Sequence, residues 1–320
     1  MKQIAIIGEC MIELNGKPFG PMHQTFGGDT LNAATYLARA NQAHPEESPI
    51  QVSYATALGA DPISEGMLTR WRDEGLDTAM VLRDPQRSPG LYLIQLDKQG
   101  ERTFLYWRNQ SAARYLLQHP LFSQLKQSLK QADMVMLSGI SLAILPENDR
   151  VEILKVLAEL QQSGVEIAFD SNYRPALWPQ DDNNQTVKAI YQAMYELTDL
   201  ALVTFDDEQL LWGDHSAEDT IGRLQQLGVS NIVVKLGAEG CLIRTADSSA
   251  SQHIATTPVK QVVDTTSAGD SFNGGFLSAY LAGKPMADAC RRGNLLAGTV
   301  IQHKGAIIPK AVTQPALQNS

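Results

Sequence analysis

The sequence predicts an α/β protein, a doubly wound, mostly parallel sheet flanked by helices with a small β-strand lid attached. Three observations carry that expectation. Short apolar runs such as Ile4–Gly8 (IAIIG) alternate with segments of helical period along most of the 320 residues. One region breaks the alternation: Leu91–Leu96 and Thr103–Trp107 are aromatic-rich, strand-patterned and separated by the turn Asp97–Gly100. Further on, Val262–Phe276 (VVDTTSAGDSFNGGF) joins an apolar strand end, a glycine turn and a helix start around one acid, Asp270.

Taken in order, Ile4–Gly8 reads as a strand buried on both faces. Cys10–Leu14 continues strand-like, and Gly16–Pro21 is rich in Gly and Pro, so the chain is expected to leave the main sheet and return. Phe26–Ala40 reads as a small-residue helix on Ala33, Ala34, Leu37, Ala38 and Ala40, capped by Asp29 or Thr30. Val52–Gly59 and Asp61–Glu74 form a second strand and helix. The hairpin follows. Residues from about 10–26 and 88–108 are expected to make a lid inserted into a single domain of residues 1–320, closing over a ligand and excluding water.

Alternation then resumes, with a helix near Leu121–Gln131, strand Met134–Leu137, helix Glu147–Gln162 and strand Val165–Phe169. Helix Gln185–Leu197, strand Leu200–Val203, helix Ala217–Leu227 and strand Ile232–Lys235 come next. Lys235–Gly240 (KLGAEG) is a glycine turn into Cys241–Arg244, on spacing alone a plain hairpin loop. Pro285–Ala306 reads as largely helical with Gly293 and Asn294 inside it. A helical Gly costs about 1 kcal/mol relative to Ala, which implies close packing there. Thr313–Ser320 reads as a frayed terminus.

Chemistry concentrates at Asp270. Gly269 permits a tight turn and close approach of a ligand, and the first N–H groups of the following helix, on Ala268, Gly269 and Asp270, are expected to point at one spot. Phosphoryl oxygens held at that helix terminus would leave Asp270 to accept a proton from an attacking hydroxyl. On these three residues alone an ordinary helix start fits as well. The polar run Asp264–Ser267 ahead of the turn, and Gly274 and Gly275 after it, favour a ligand. Gly27 and Gly28 before the first helix, with Asn32 in its first turn, offer a place for substrate hydroxyls, although a Gly-Gly pair also serves as a simple turn.

Other chemistries lose support. A net charge of -9 argues against nucleic acid or an anionic membrane surface as a standing partner. Three cysteines without C-x-x-C spacing indicate neither a disulfide framework nor a zinc site and fit a reducing cytoplasm. No run approaches the ~18 apolar residues of a membrane span. Motifs of P-loop enzymes, protein kinases and dinucleotide-dependent dehydrogenases are absent.

The G-G-x-x-x-N pattern of Gly27–Asn32 and the stretch around Ala268–Asp270, in that order, resemble the two signatures of the ribokinase-like (PfkB) family of sugar and nucleoside kinases. The resemblance covers essentially the whole chain. GECMIEL, GLYLI, ERTFLYWRNQSAA, LSGISLAIL and DSNYRPALW look like segments of the family's sugar-acid kinases. It implies a ribokinase-like fold, ATP and Mg²⁺ as cofactors, and transfer of the γ-phosphate to the 6-hydroxyl of 2-keto-3-deoxy-D-gluconate. It further implies that Asp270 is the catalytic base, with the N–H groups of Ala268, Gly269 and Asp270 stabilising the transferring phosphoryl. The acceptor would meet Glu13, where the family usually has Asp, and Gly27, Gly28, Asn32, Tyr92, Tyr106, Arg108, Arg174 and Asp270. ATP would lie along Asn172, Thr204, Lys235, Gly237, Gly240, Ser267, Ala268, Gly269 and Asn294. Two arginines near one sugar suggest an acidic acceptor, although each alone would read as surface. Asp264, Thr266 and Gly305 match positions that bind a monovalent cation in ribokinases, and the metal ligands stay open. A kinase of a neutral sugar such as fructose and a non-catalytic sugar-acid sensor are the alternatives. Exposed lid-strand edges are expected to pair between subunits of a homo-oligomer.

Overall fold

The computed structural model describes residues 1–17, 19–96 and 102–318. The chain begins β1 (Lys2–Ile7), β2 (Met11–Gly16), β3 (Met22–Gly27), α1 (Asp29–Ala43), β4 (Ile50–Gly59), α2 (Pro62–Asp73), β5 (Val81–Asp84), β6 (Leu91–Leu96) and β7 (Arg102–Trp107). It continues α3 (Phe122–Leu129), β8 (Met134–Ser138), α4 (Gly139–Ala143), α5 (Glu147–Gln162), β9 (Glu166–Asp170), α6 (Gln185–Tyr195), β10 (Leu200–Thr204), α7 (Phe205–Trp212) and α8 (Ala217–Gln226). β11 (Asn231–Lys235), β12 (Cys241–Arg244), β13 (Gln252–Ile254), α9 (Ala268–Leu281), α10 (Met286–Val300) and α11 (Lys310–Leu317) complete it.

Among the described residues, nine strands form one sheet in the order β13-β12-β11-β10-β9-β8-β1-β4-β5, parallel from β11 to β5 with β12 and β13 antiparallel at one side. The apolar runs have a physical reason: successive side chains of a strand point to opposite faces, and here both faces are covered. In β1, Ile4 and Ile6 enter the core beneath α1, α2, α9 and α10, while Ala5 and Ile7 enter the core beneath α3, α5, α6 and α8. β8 and β10 divide the same way, Met134, Met136, Leu200 and Leu202 to one side and Val135, Leu137, Ala201 and Val203 to the other.

A second sheet, ordered β3-β2-β6-β7, contains the segments expected of the lid. One row of register partners crosses it, Thr25 with Glu13, Glu13 with Tyr92 and Tyr92 with Tyr106, so these side chains share a face. The expected turn Asp97–Gly100 lies outside the described residues.

Several boundaries differ from expectation. α1 starts at Asp29 with Gly28 as its cap, so neither Asp29 nor Thr30 caps it, and the missing side-chain cap leaves the Asp29 carboxylate free for other contacts. Val262 and Val263 lie outside any strand and are exposed. The helix expected over Pro285–Ala306 ends at Val300. Thr313 and Leu317 are buried within α11, because the helix docks on the α1–α10 side, so the described part of the C-terminal segment is packed rather than frayed. The helical glycines are explained by close approach: a Cβ on Gly293 would lie 2.9 Å from the Phe272 ring, and one on Gly274 2.6 Å from Tyr36 Cβ and 2.8 Å from Ala33 O.

Candidate active site

The carboxyl ends of the parallel strands meet at one edge, where open α/β sheets bind ligands. Glu9 follows β1, Ser138 ends β8, Asp170 ends β9, Thr204 ends β10 and Lys235 ends β11. α1 and α9 bring their N-terminal turns to that edge, packed together through Gly274. Asn32 Nδ2 in α1 donates to Asp270 Oδ2 in α9 at 2.8 Å, so the two signature segments meet across 238 residues of sequence.

The turn before α9 is built by Ser267, which holds a left-handed conformation at φ 65°. Ala268 N–H donates to Thr265 O at 3.2 Å. The expected trio of anion-binding amides is therefore a pair, Gly269 and Asp270, because the turn itself consumes the first donor. Lys235 supplies charge beside them. Its Nζ would lie 3.7 Å from a Cβ on Gly269, and it donates to Asp170 Oδ1 at 3.3 Å and to Asn273 Oδ1 at 3.2 Å. Asn273 Nδ2 donates in turn to Asp170 Oδ2 at 2.7 Å.

Carboxylates crowd this centre. Burial raises the Asp270 carboxyl to about 7, Asp29 and Asp170 adding repulsion, while Asn32 and Ser267 favour the charged form. Burial likewise pushes Asp29 up, with Asp170 contributing, against hydrogen bonds from Ser138 and Asn172. Asn172 holds a left-handed φ of 29° and donates from Nδ2 to Asp29 Oδ2 at 2.6 Å. Non-glycine residues reach this region at a cost, and here the side-chain bond at the site fixes it.

Several of the residues expected to meet the acceptor come from the second sheet. Tyr92 Oη donates to Glu13 Oε2. A Cβ on Gly27 would lie 2.9 Å from Tyr92 Oη and 4.0 Å from both Asn32 Oδ1 and Glu13 Oε2, so Gly27 leaves open a space bounded by all three. Gly28 serves packing, since a Cβ there would meet Glu9 O at 2.1 Å. Tyr106 stands beside Tyr92 with ring centroids 6.0 Å apart. Burial raises the Tyr106 hydroxyl, and the charges of Arg108 and Arg174 both oppose that rise. Arg174 is half exposed and pairs with Asp207 Oδ1 at 3.5 Å. Arg108 pairs with buried Glu9. A cleft of about 730 Å³ is lined by Tyr106, Trp107 and Arg108 with residues 86–89 and 109–111, and Asp270 is not among its walls.

The residues expected to lie along ATP divide. Asn172, Lys235, Ser267 and Gly269 belong to the centre, and Thr204 ends β10, the strand beside β11 and Lys235. Gly237 and Gly240 turn with φ of 57° and 94°, and a Cβ on Gly240 would meet Ile254 O at 2.1 Å. Asn294 Nδ2 donates to Ile254 O at 3.4 Å within a groove of about 800 Å³ formed by residues 252–260 and α10. Asp264, Thr266 and Gly305 converge: Asp264 Oδ1 accepts from Thr266 N and Oγ1, and Oδ2 accepts from Gly305 N at 2.9 Å.

Sequence reasoning missed Glu9, Asp29, Asp170 and Asn273 as site residues. The available signal was an acid at or just past the end of an apolar strand, as in IAIIGE and EIAFD.

A parallel sheet with its polar groups at the carboxyl edge, a helix terminus with free amides beside a lysine, and an acid bonded to Asn32 at the border of a polar space define a small-molecule kinase of the ribokinase-like α/β class. Residues 1–313 match the model of the pfkB family of carbohydrate kinases, and the chain belongs to that family. It is 54% identical over 310 residues to a 2-dehydro-3-deoxygluconokinase of Haemophilus influenzae, covering 97% of this chain and 96% of that one. It is 46% identical over 310 residues to the 2-dehydro-3-deoxygluconokinase of Escherichia coli K12, covering 97% and 98%. Its fold is similar to the crystal structure of fructokinase with bound ATP from Xylella fastidiosa, with a TM-score of 0.80 at 21% identity over 99% of this chain and 98% of that one.

Proposed function

We propose that this protein is an ATP- and Mg²⁺-dependent kinase that phosphorylates the 6-hydroxyl of 2-keto-3-deoxy-D-gluconate. The observation that carries the reading is the Asp270 centre: a carboxyl tuned toward neutrality, oriented by Asn32, at a helix terminus flanked by Lys235. The names of the 54% and 46% identical relatives support the acceptor.

In this reading Asp270 removes the proton of the 6-hydroxyl, whose oxygen attacks the γ-phosphorus as the bond to the β,γ-bridging oxygen breaks and ADP leaves. The amides of Gly269 and Asp270 and the Lys235 ammonium hold the phosphoryl oxygens. Asn294 and the groove along residues 252–260 take the adenine end. For Mg²⁺, the donor chemistry fits: Asp29 and Asp170 are hard oxygen donors, the first bonded to Asn172 and the second to Lys235. Among the described residues the one group of three or more His, Cys, Asp or Glu with ligand atoms within 4.8 Å of one another is His44, Glu46 and Glu47, beyond the far end of α1, ~22 Å of helix from Asp29. Asp29 and Asp170 would therefore hold a hydrated ion rather than encircle a bare one. When bound, Mg²⁺ neutralises phosphate charge.

The second sheet acts as a lid on a single domain of residues 1–320, inserted from about 10–26 and 88–108. The cleft with Arg108 excludes Asp270 as a wall, and closure would bring the acid-binding end and the reacting end of one acceptor together. Lid edges also pair two copies of the chain. Three free, buried cysteines fit a reducing cytoplasm, and no helix among the described residues is long and apolar enough to cross a membrane.

ADP release with a panel of acceptors tests the function. Turnover on the keto-deoxy acid with little on fructose is expected. Preference for the neutral sugar, or release with none, overturns it.

A further inference from the structure

At the root of the lid lies a buried ion pair that phosphoryl transfer itself does not require. Glu9, just past β1, is 1% exposed at its side chain, and its Oε2 accepts from Nη2 of Arg108, whose side chain is 10% exposed. Replacing such a pair by apolar side chains is often neutral or stabilising, so its presence argues poorly for stability alone. Gly90 makes room for it: a Cβ there would lie 2.8 Å from Glu9 Oε1 and 3.2 Å from Arg108 Cβ.

The pair is half made. Glu9 Oε1 and Arg108 Nε are both buried without a partner. A guanidinium presents two forks, one formed by Nε with the adjacent Nη2 and one formed by the two terminal nitrogens. The bond already present and the two unpartnered atoms all belong to the first fork. A carboxylate filling that fork leaves Nη1, and the second hydrogen of Nη2, directed the other way.

We propose that Glu9 is a positioning residue for acceptor recognition: it holds the inner fork of Arg108 so that the outer fork meets the carboxylate of the keto-deoxy acid. The inference rests on the reading of Arg108 as the partner of that carboxylate. Glu9 is locked in the core and cannot follow the substrate, so it orders a long side chain before binding rather than during it. A carboxylate arriving at Arg108 also meets the negative charge of Glu9, with the guanidinium between them. Those two effects oppose each other, and their sign is measurable.

The test is a double-mutant cycle by steady-state kinetics with saturating ATP, comparing the acid with its neutral alcohol analogue in Glu9→Gln, Arg108→Ala and the double variant. Loss of one pre-ordered side chain corresponds to a rise of about 3- to 10-fold in KM for the acid. The kcat for the acid is expected to change less than KM, and KM for the alcohol to stay put. The double variant is expected to equal Arg108→Ala alone, because Glu9 acts only through Arg108. Independent, multiplying losses, an equal loss on acid and alcohol, or a fall in acid KM in Glu9→Gln would each overturn the proposal, the last by showing that Glu9 competes with substrate. Should Glu9→Gln not fold, Glu9→Asp keeps the charge at shorter reach, and the same selective rise in acid KM is required of it. If Arg108→Ala penalises acid and alcohol equally, the assignment of Arg108 fails instead, independently of Glu9.

Discussion

Asp270 loses solvation when charged and is further opposed by Asp29 and Asp170, so its carboxyl sits near the pH at which the reaction would run. A base must be unprotonated, and kcat/KM should therefore rise with pH through about 7 and then level. Asp29→Asn removes one repelling charge and should move that rise to lower pH, read from a pH–rate profile at saturating Mg²⁺ because the same substitution removes a donor assigned to the ion. Asp270→Asn should keep acceptor binding while lowering kcat by at least the ~10²-fold of a lost general base. The same residue affects folding. Its folded pKa is raised above the ordinary 3.8, so the stabilising proton is fully present below 3.8 and its contribution is lost as pH rises through about 7. The melting-temperature advantage of Asp270→Asn should thus grow from about pH 4 to 7 and level above; an advantage independent of pH would mean that Asp270 is not strained by its charge. Asp270 and Asn32 were legible because motif spacing marks them. Glu9 and Asp170 were not, because their roles arise only when separate strands end at one edge.

Elements that carry a complete pattern were legible, and those that carry half of one were not. β1, β8, β9, β10 and β11 are buried on both faces and read as unbroken apolar runs. The strands that escaped notice are edges: β3 and β5 flank their sheets with six and four residues, and β13 has three. An edge strand need not be apolar on both faces, and MHQTFG is exposed along most of its length. α7 was hidden by its length of eight residues and by a Thr204 cap that makes no side-chain bond, although the acids of its first turn are a helix-start signal. The contact between α1 and α9 gives a prediction of its own. Gly274 lets the backbones approach, and a methyl there would stand 2.8 Å from both Ala33 O and Leu37 N. Gly274→Ala should destabilise by about 1–3 kcal/mol, as overpacking does, read as a lower urea midpoint. It should also lower kcat by parting Asn32 from Asp270. A variant of unchanged stability and activity would show that the helices adjust freely.

At the scale of the molecule, strand–helix alternation was enough for the doubly wound sheet, and both segments of the lid were expected, whereas the register that pairs β2 with β6 could not be read, since it joins segments some 80 residues apart. That second sheet leaves an edge. β7 pairs with β6 on one side and exposes four consecutive large apolar residues, Phe104, Leu105, Tyr106 and Trp107, the last two at 52% and 58%. Tyr106 shares the face of Tyr92, and Leu105 and Trp107 lie on the opposite face with their partners Leu93 and Leu91. Apolar side chains on both faces of an open strand edge suit a partner that covers the strand, and a two-fold pairing of identical chains is the simplest closed arrangement. Light scattering at micromolar concentration should then give twice the mass of the 320-residue chain. Leu105→Lys places charge on the outer face, leaves Tyr106 and the cleft-lining Trp107 in place, and should return the mass to that of one chain. Because pairing would hold β7 near the acceptor, KM for the acid should rise in the monomeric variant while KM for ATP, whose proposed site runs along β11 and α10, changes little. A wild-type chain that scatters as a monomer would sink the prediction, and a lysine variant that remains double-sized would move the interface away from β7.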